Sequence, residues 1–468
     1  MSPSRTTPGP GGERRLSYDV RFWDIRVRAG KRRTRYAVRW VVAGREFHRS
    51  FTTKAHAESR LSDLRTAARK GEAFDVETGL PVSEARQRND RSWYEHSSHY
   101  VERRWPRIGG GQRRSIADTI ATVTPAMLTT DRGQPDAELL RRTMYRWVGN
   151  MTQRRGGPPP EDVAEAMSWL EHNTRGMSTL ADQKILDVVL DLLATRLDGK
   201  PAAPNTIARR RSILHNMIGC AVDDGLLDVN PLARSQWMAP EAVQTVDPDV
   251  VINHDQARLL LTAVGRQGEM GQRLVAFFGC MYYSALRPSE TVPLTDAAMQ
   301  LPREGWGEFR LRESTPLSGA KWSETGRSRD RRPLKHRPRG DVRVVPIPPP
   351  QTDLLRHHLR EFDTAPDGRL FPAVRGGLLG DKMYGDIWRA ARVAAFTPAE
   401  AASPLARRPY DLRHAAVSTW LNAGVDATLV AAWAGHSVQV LLQVYAKCIV
   451  GRDEIARRRI EAALGLTS

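Results

Sequence analysis

Four short stretches in the second half of the chain bring chemically useful side chains close together. Ser284-Ala285-Leu286-Arg287-Pro288-Ser289-Glu290 follows the apolar run Leu274–Met281. It sets an arginine just past a buried helix, with a carboxylate three residues on to orient it. Pro333-Leu334-Lys335-His336-Arg337-Pro338-Arg339-Gly340 precedes the strand-like Val342–Ile347 and sets a lysine on a basic hairpin. Tyr410-Asp411-Leu412-Arg413-His414 opens a helix with Ala416, Trp420 and Leu421 on one face, and Ala434-Gly435-His436-Ser437 leads to Tyr445. Guanidinium forks hold anionic oxygens, lysine and histidine move protons, and an activated tyrosine hydroxyl attacks. Singly, each residue also has an ordinary reading. Arg287 could be a surface ion-pair residue, His436 a satisfied core histidine and Tyr445 a packed aromatic. Lys335 is one of eight Lys or Arg between Arg327 and Arg343, and most basic runs are simply solvated.

The order and spacing together say more. Arg413 and His436 are 23 residues apart, and His436 and Tyr445 are nine apart. The series Arg287, Lys335, Arg413, His436, Tyr445 resembles the catalytic domain of tyrosine recombinases, the phage integrase family. That family carries an Arg, a Lys on a β-hairpin, an H-x-x-R box, a Gly-His and a Tyr in this order. The stretch from Asp411 to Ala446 is the most specific part, and the resemblance spans residues 251–464. It implies transesterification, in which the Tyr445 oxygen attacks a DNA phosphodiester, forms a 3′-phosphotyrosyl link and frees a 5′-hydroxyl. Arg287 and Arg413 would hold the non-bridging oxygens, Lys335 would protonate the departing 5′-oxygen, and His436 would donate a hydrogen bond to the phosphate. Glu290 would position Arg287 or its neighbours. The box histidine is replaced by Tyr410; either its hydroxyl hydrogen-bonds the phosphate or Tyr445, the favoured reading, or it only packs against the helix begun by Arg413 while His414 or His436 does the polar work. A phenol stays neutral through pH ~9, so Tyr410 should add no titration near the histidine range. His414 follows Arg413 directly and on a helix points about 100° away from it, so it is expected to be a poor substitute.

One phosphodiester is exchanged for another, so no ATP is required. The two guanidinium groups take the place of a metal, and no cofactor is expected. The implied partners are double-stranded DNA attachment sites, other copies of the chain in a tetramer on DNA, and DNA-bending or directionality factors. A C-terminal face of Ala456, Ile460, Ala463 and Leu464 would join the protomers. Two other functions share these features: a type IB topoisomerase-like DNA-relaxing enzyme, and a DNA-binding regulator on an inactive recombinase fold.

The elements that must carry these residues can be read from periodicity. The expected fold is mainly α with small β-sheets: an N-terminal three-stranded sheet plus helix, a helical middle domain and a mixed α+β catalytic domain. Residues 1–16 read as a disordered tail. Tyr36, Val38, Trp40 and Val42 alternate as in a strand with one buried face, Phe47 and Phe51 lie on a return strand, and Ile25 and Val27 mark an earlier one. Thr53 is placed to cap a helix burying Ala57, Leu61, Leu64 and Ala68. The expected boundaries are a 17–72 domain, a 73–92 linker, a helical domain over 93–236 broken at Gly109–Gly111 and Gly156–Pro160, a 237–250 linker and a catalytic domain over 251–468. The resemblance assigns the first domain to arm-type DNA sites and the second to the core site.

Charge points the same way. Seventy-one Lys plus Arg against 53 Asp plus Glu give +18, which suits a polyanionic partner, although a basic proteome would give it too. Residues 1–72 hold 18 Lys or Arg against seven Asp or Glu. The expected DNA contacts are Arg32, Arg33 and Arg35 on the sheet, Arg209 and Arg210 at a helix start, and Arg337 and Arg339 on the hairpin. Cys220, Cys280 and Cys448 share no metal-ligand spacing. No apolar run reaches the ~20 residues of a membrane span, and the N-terminus lacks the apolar core of a secretory signal. A cytoplasmic protein with no membrane association is expected.

Overall fold

The computed structural model describes residues 15–465 apart from 30–32, 85–89, 239, 241–244, 336, 339 and 449–451; for Ala446 and 452–456 it describes the backbone alone. Arg32, Arg339, the first 14 residues and the Ala456 side chain therefore lie outside the described residues. The chain forms two compact units, residues 1–108 with 113–240, and 109–112 with 241–468. It is predominantly helical, with small antiparallel sheets.

The first unit opens with β1 (Leu16–Ser17), β2 (Val20–Phe22), β3 (Arg26–Ala29), β4 (Thr34–Val42) and β5 (Arg45–Phe51). β2 and β3 pair in succession with one edge of β4, and β5 pairs with the other. The sheet is thus three strands wide, with its first strand interrupted over residues 23–25. Helix α1 (Lys54–Arg69) covers one face and starts at Thr53, whose side chain accepts the His56 N–H. Val38, Trp40, Val42, Ala57, Leu61 and Leu64 form the shared core.

Residues 73–84 do not behave as a linker. β6 (Phe74–Asp75) pairs with β1, and Phe74 and Leu80 are buried in the same core. The Trp40 indole N–H donates to the Gly79 carbonyl. A polar-looking segment with two apolar side chains at the right interval is thus drawn back onto the sheet.

Four of the longer helices that follow are α2 (Trp93–Arg104), α3 (Gly110–Val123), α4 (Gln183–Ala194) and α5 (Pro204–Asp223). α2 begins with a capping box between Ser92 and Glu95. The helical run breaks at Ile108–Gly109, with Gly110 and Gly111 opening α3, and Gly156–Pro160 separates two further helices. Leu186, Val189, Leu190 and Leu193 on α4 are fully buried, each contributing roughly 1.5–3 kcal/mol of hydrophobic stabilisation.

The second unit is built on α6 (His254–Gly265) and α7 (Gly268–Tyr283), which pack with a small sheet, the helix Pro349–Phe362 and later helices that bring in Trp388 and Leu412. β11 (Arg343–Ile347) pairs with β8 (Gly307–Leu311), and β8 pairs with β7 (Met299–Gln300). β9 (Glu313–Ser314) and β10 (Arg332–Pro333) form a separate pair. The later helices are α8 (Asp381–Ala395), α9 (Asp411–Asn422), α10 (Ala427–Ala434) and α11 (Val438–Tyr445), with α12 (Arg452–Ala463) last. Among the described residues no single helix is long and apolar enough to cross a membrane; α10 and α11 pass only as a pair bent by 99°. Their inner residues Val430, Ala431, Ala434, Leu441 and Tyr445 share a core with Val417 and Leu421 of α9.

Candidate active site

Arg287 caps a short helix, Pro288–Thr291, whose third residue is Glu290. Glu290 accepts the Arg287 backbone N–H at 2.9 Å and one guanidinium N–H at 2.8 Å. It also accepts two bonds from Arg343, at 3.0 and 2.6 Å, across a pair of side chains that are both 2% exposed. Burial alone would raise this carboxyl. Arg343 first and Arg287 second override burial and hold it at about 2. The orienting role expected for Glu290 toward Arg287 is thus matched by a second role toward Arg343, which sequence reading did not single out.

Arg413 is fully buried on α9. It donates to the carbonyls of Ala285 and Ala434, and its Nη2 lies 3.0 Å from His436 Nε2. Ala285 has a left-handed backbone (φ +51°), a strained conformation for a residue with a Cβ. Burial and the neighbouring Arg287 lower Arg413 to about 10, so it remains charged at neutral pH. Gly435 follows α10 in the left-handed region (φ +65°) and passes its carbonyl to Arg287 at 2.8 Å. A Cβ there would stand 2.4 Å from Arg343 Nη1. The glycine of the Gly-His pair is therefore required twice, by its backbone angle and by the guanidinium beside it.

The electrostatics of His436 follow from its partner. An arginine can only donate, so Nε2 accepts and the neutral ring carries its hydrogen on Nδ1. That Nδ1 and the Nε of Arg413 are buried and have no hydrogen-bond partner among the described residues. Burial, then Arg413 and Arg287, hold His436 down to about 3. The site thus contains two polar atoms that can each donate one further hydrogen bond.

Tyr445 is also fully buried, and burial pushes its hydroxyl above the usual tyrosine range. Its hydroxyl lies 3.0 Å from His414 Nδ1. This contact is not foreseen by the helix geometry that makes His414 a poor substitute for the box histidine. Arg413 and His414 do leave α9 in different directions, but the site wraps around the first turn of that helix. Arg413 reaches the backbone at Ala285 and Ala434, while His414 reaches α11. Tyr410 takes the place given by the packing reading, and it is His414 that is bonded to Tyr445. The Tyr410 ring packs edge-on against His414 at 5.1 Å, and its hydroxyl helps Glu290 to sustain the charge of Arg287 against burial. Lys335 is exposed in the turn after β10 and makes no hydrogen bond or ion pair among the described residues. The structure therefore brings Arg287, Glu290, Arg413, Tyr410, His436 and Tyr445 together, adds Arg343 and His414, and leaves Lys335 outside the buried group.

At neutral pH three arginines face one carboxylate here, with two imidazoles and a phenol uncharged. Buried charge that is not fully paired is costly, and an entering anion would relieve it. The arrangement suits a phosphodiester, with Nδ1–H and Nε–H donors for its oxygens and a phenol as nucleophile.

The expected DNA contacts separate into two groups. Arg33, Arg35 and Arg209 are exposed. Arg210 instead bonds Asp118 at 3.0 and 3.1 Å and the carbonyls of Leu193 and Thr195, with its side chain only 11% exposed. It fastens α5 to α3 and α4 rather than facing a ligand. Arg210→Ala should therefore cost roughly 1–3 kcal/mol of stability and leave DNA affinity unchanged, as urea unfolding and a DNA titration would show. Arg337 is engaged by Asp341 at 2.9 Å.

Elsewhere, the ligand atoms of His99, Cys220 and Asp224 lie within 4.8 Å of one another. Arg91 and Arg103 already bond Asp224, and Arg103 also reaches the Cys220 sulfur. Burial, then Asp224, raises the Cys220 thiol. Two guanidinium groups and a protonated thiol make this an ion-pair knot between α2 and α5, unsuited to a cation.

No protein-family model matches the sequence. The chain is similar to the tyrosine recombinase XerC of Mycobacterium leprae (strain TN), 28% identical over 303 residues that cover 62% of this chain and 88% of that protein. It is also similar to the tyrosine recombinase XerD of Caulobacter vibrioides (strain ATCC 19089 / CIP 103742 / CB 15), 26% identical over 293 residues that cover 61% of this chain and 83% of that protein. Among solved structures, the Tn1549 transposon integrase in complex with a circular intermediate DNA aligns with a TM-score of 0.47 at 15% identity, over 69% of this chain and 98% of that one. The XerH site-specific recombinase bound to its difH substrate aligns with a TM-score of 0.45 at 11% identity, over 79% and 95%.

Proposed function

This chain belongs to the tyrosine recombinase family, and from that premise we propose that it is a site-specific DNA recombinase. It cuts and rejoins strands through a 3′-phosphotyrosyl intermediate and integrates or excises a mobile element. The observation that carries this reading is the Tyr445 hydroxyl, bonded to His414, in a buried group with Arg287 and Arg343, both held by Glu290, and Arg413, held by the Ala285 and Ala434 carbonyls. Arg287 and Arg413 stabilise charge on the non-bridging oxygens, and His436 donates through Nδ1. Lys335, exposed on its turn, is drawn to the 5′-oxygen when DNA is bound and supplies the proton that the leaving group needs.

The N-terminal sheet supports a second DNA contact. Strand register puts Arg21, Arg26, Arg28, Arg35 and Arg39 on the face opposite α1. A row of arginines on one face of a short sheet can neutralise phosphates along a groove. In this reading the face binds arm-type sites while the catalytic unit holds the core site. Ile460 on α12 and Leu464 just past its end are 58% and 67% exposed, and they dock on a neighbouring protomer in a DNA-bound tetramer.

The test is recombination between two sites, with DNA relaxation measured in parallel. The full chain should join two sites, and relaxation without joining would favour the topoisomerase reading. Replacing Arg26, Arg28 and Arg35 together by alanine should leave core-site cleavage intact and abolish integration. It should also reduce the salt slope of arm-site binding by roughly one for each phosphate no longer neutralised. Undiminished integration by that variant would remove the sheet from DNA recognition.

A further inference from the structure

We propose that His414 is a catalytic residue, the general base that takes the phenolic proton of Tyr445. The proposal rests on the recombinase reading above and deepens it. The box position that supplies a histidine in the family holds Tyr410 here, and a phenol cannot serve as a base near neutral pH. Among the described residues, His414 Nδ1 is the hydrogen-bond partner of the Tyr445 hydroxyl, at 3.0 Å. The other nearby imidazole, that of His436, cannot compete. Its ring lies 6.2 Å from that of Tyr445, and its Nε2 is occupied by Arg413.

Position is fixed from both sides. Tyr410 packs edge-on against the His414 ring at 5.1 Å, and the Tyr445 ring meets it at 5.7 Å. His414 lies four residues after Tyr410, which places both on the same face of the first turn of α9. The residue that stands in place of the box histidine thus buttresses the histidine one turn on.

The step balances. Tyr445 Oη forms a bond to phosphorus, its proton passes to His414 Nδ1, and the bond from phosphorus to the 5′-oxygen breaks. That oxygen leaves with a proton supplied by Lys335. In religation the 5′-hydroxyl attacks and gives its proton back to Lys335, the phenol oxygen departs and His414 returns the phenolic proton. Burial lowers His414 to about 4, so it is neutral and able to accept at physiological pH. Without DNA the pair remains a phenol and a neutral imidazole. As Oη bonds to phosphorus its proton becomes strongly acidic, and a weak base then suffices.

The experiment uses the full-length protein and a nicked duplex captured covalently by the wild type from a randomised pool. Failure of the wild type to capture any duplex would overturn the recombinase reading itself. His414→Asn keeps an acceptor near the Nδ1 position but cannot take up a proton. His414→Ala removes the hydrogen bond altogether. Both should bind DNA as the wild type does and form the adduct roughly 10²- to 10⁴-fold more slowly. Their rates should rise with pH as hydroxide replaces the base, while the wild-type rate stays level above pH ~5. The groups facing His414 are Tyr410, Asp411, Arg413 and Arg408 on or beside its own helix, and Tyr445 and His436 across from it.

A substrate with sulfur at the 5′-bridging position separates the two proton transfers, because a thiolate leaves without a proton. It should restore cleavage by Lys335→Ala and leave the His414→Asn deficit in place. Wild-type rates and pH profile in His414→Asn, or its rescue by the sulfur substrate, would overturn the proposal. If His414→Ala unfolds, His414→Asn decides alone, with its melting temperature as the control for a structural defect.

Discussion

Tyr445→Phe should bind the nicked duplex with wild-type affinity and yield no covalent adduct. The substitution keeps a ring that is fully buried and deletes the one atom that can attack phosphorus. It also deletes the hydrogen bond to His414, a cost of about 0.5–1.5 kcal/mol. The fold should therefore survive, and the absence of adduct will not be an indirect result of unfolding. Denaturing electrophoresis of protein with end-labelled DNA reads the adduct, and a retardation titration reads binding. An adduct formed by the variant would move the nucleophile to another residue and overturn the assignment of Tyr445.

Glu290→Gln should have the largest effect on stability. The carboxylate receives three guanidinium bonds from Arg287 and Arg343. An amide of the same shape leaves two buried cations without their counter-charge. Breaking a buried pair of this kind costs about 3–5 kcal/mol, and cleavage should fall as well because Arg287 loses its orienting partner. The pH dependence gives an independent check. Glu290 has a folded pKa of about 2, below its unfolded value of about 4.3. The depressed carboxyl contributes stability that is fully present above the unfolded value and is lost as pH falls through the folded one. Between about pH 4.3 and 2 the wild type should therefore lose stability more steeply than Glu290→Gln, whose side chain does not titrate. Urea unfolding across that range measures both slopes, and parallel curves would show that the carboxylate is not held as described.

Much of this protein is determined by sequence in short windows. The alternation Tyr36-Val38-Trp40-Val42, the stripe Leu186-Val189-Leu190-Leu193 and the Thr53 cap each depend on neighbours within a few turns or strands, and all three take the expected form. The order of Arg287, Arg413, His436 and Tyr445 was likewise legible, because each sits at the end or start of a periodic element. What only the tertiary structure decided are the partners. Glu290 meets Arg343 across 53 residues, Arg210 meets Asp118 across 92, and His414 meets Tyr445 across 31. Helical phase gives the direction in which a side chain leaves its own helix, but not what another element has placed there. That is why His414, pointing away from Arg413, reads as peripheral along the chain and yet touches the nucleophile. It is also why one arginine of the Arg209–Arg211 run is spent on an internal carboxylate. A charge can be counted from sequence, but whether it faces solvent, phosphate or a buried carboxylate depends on which distant segment packs against it.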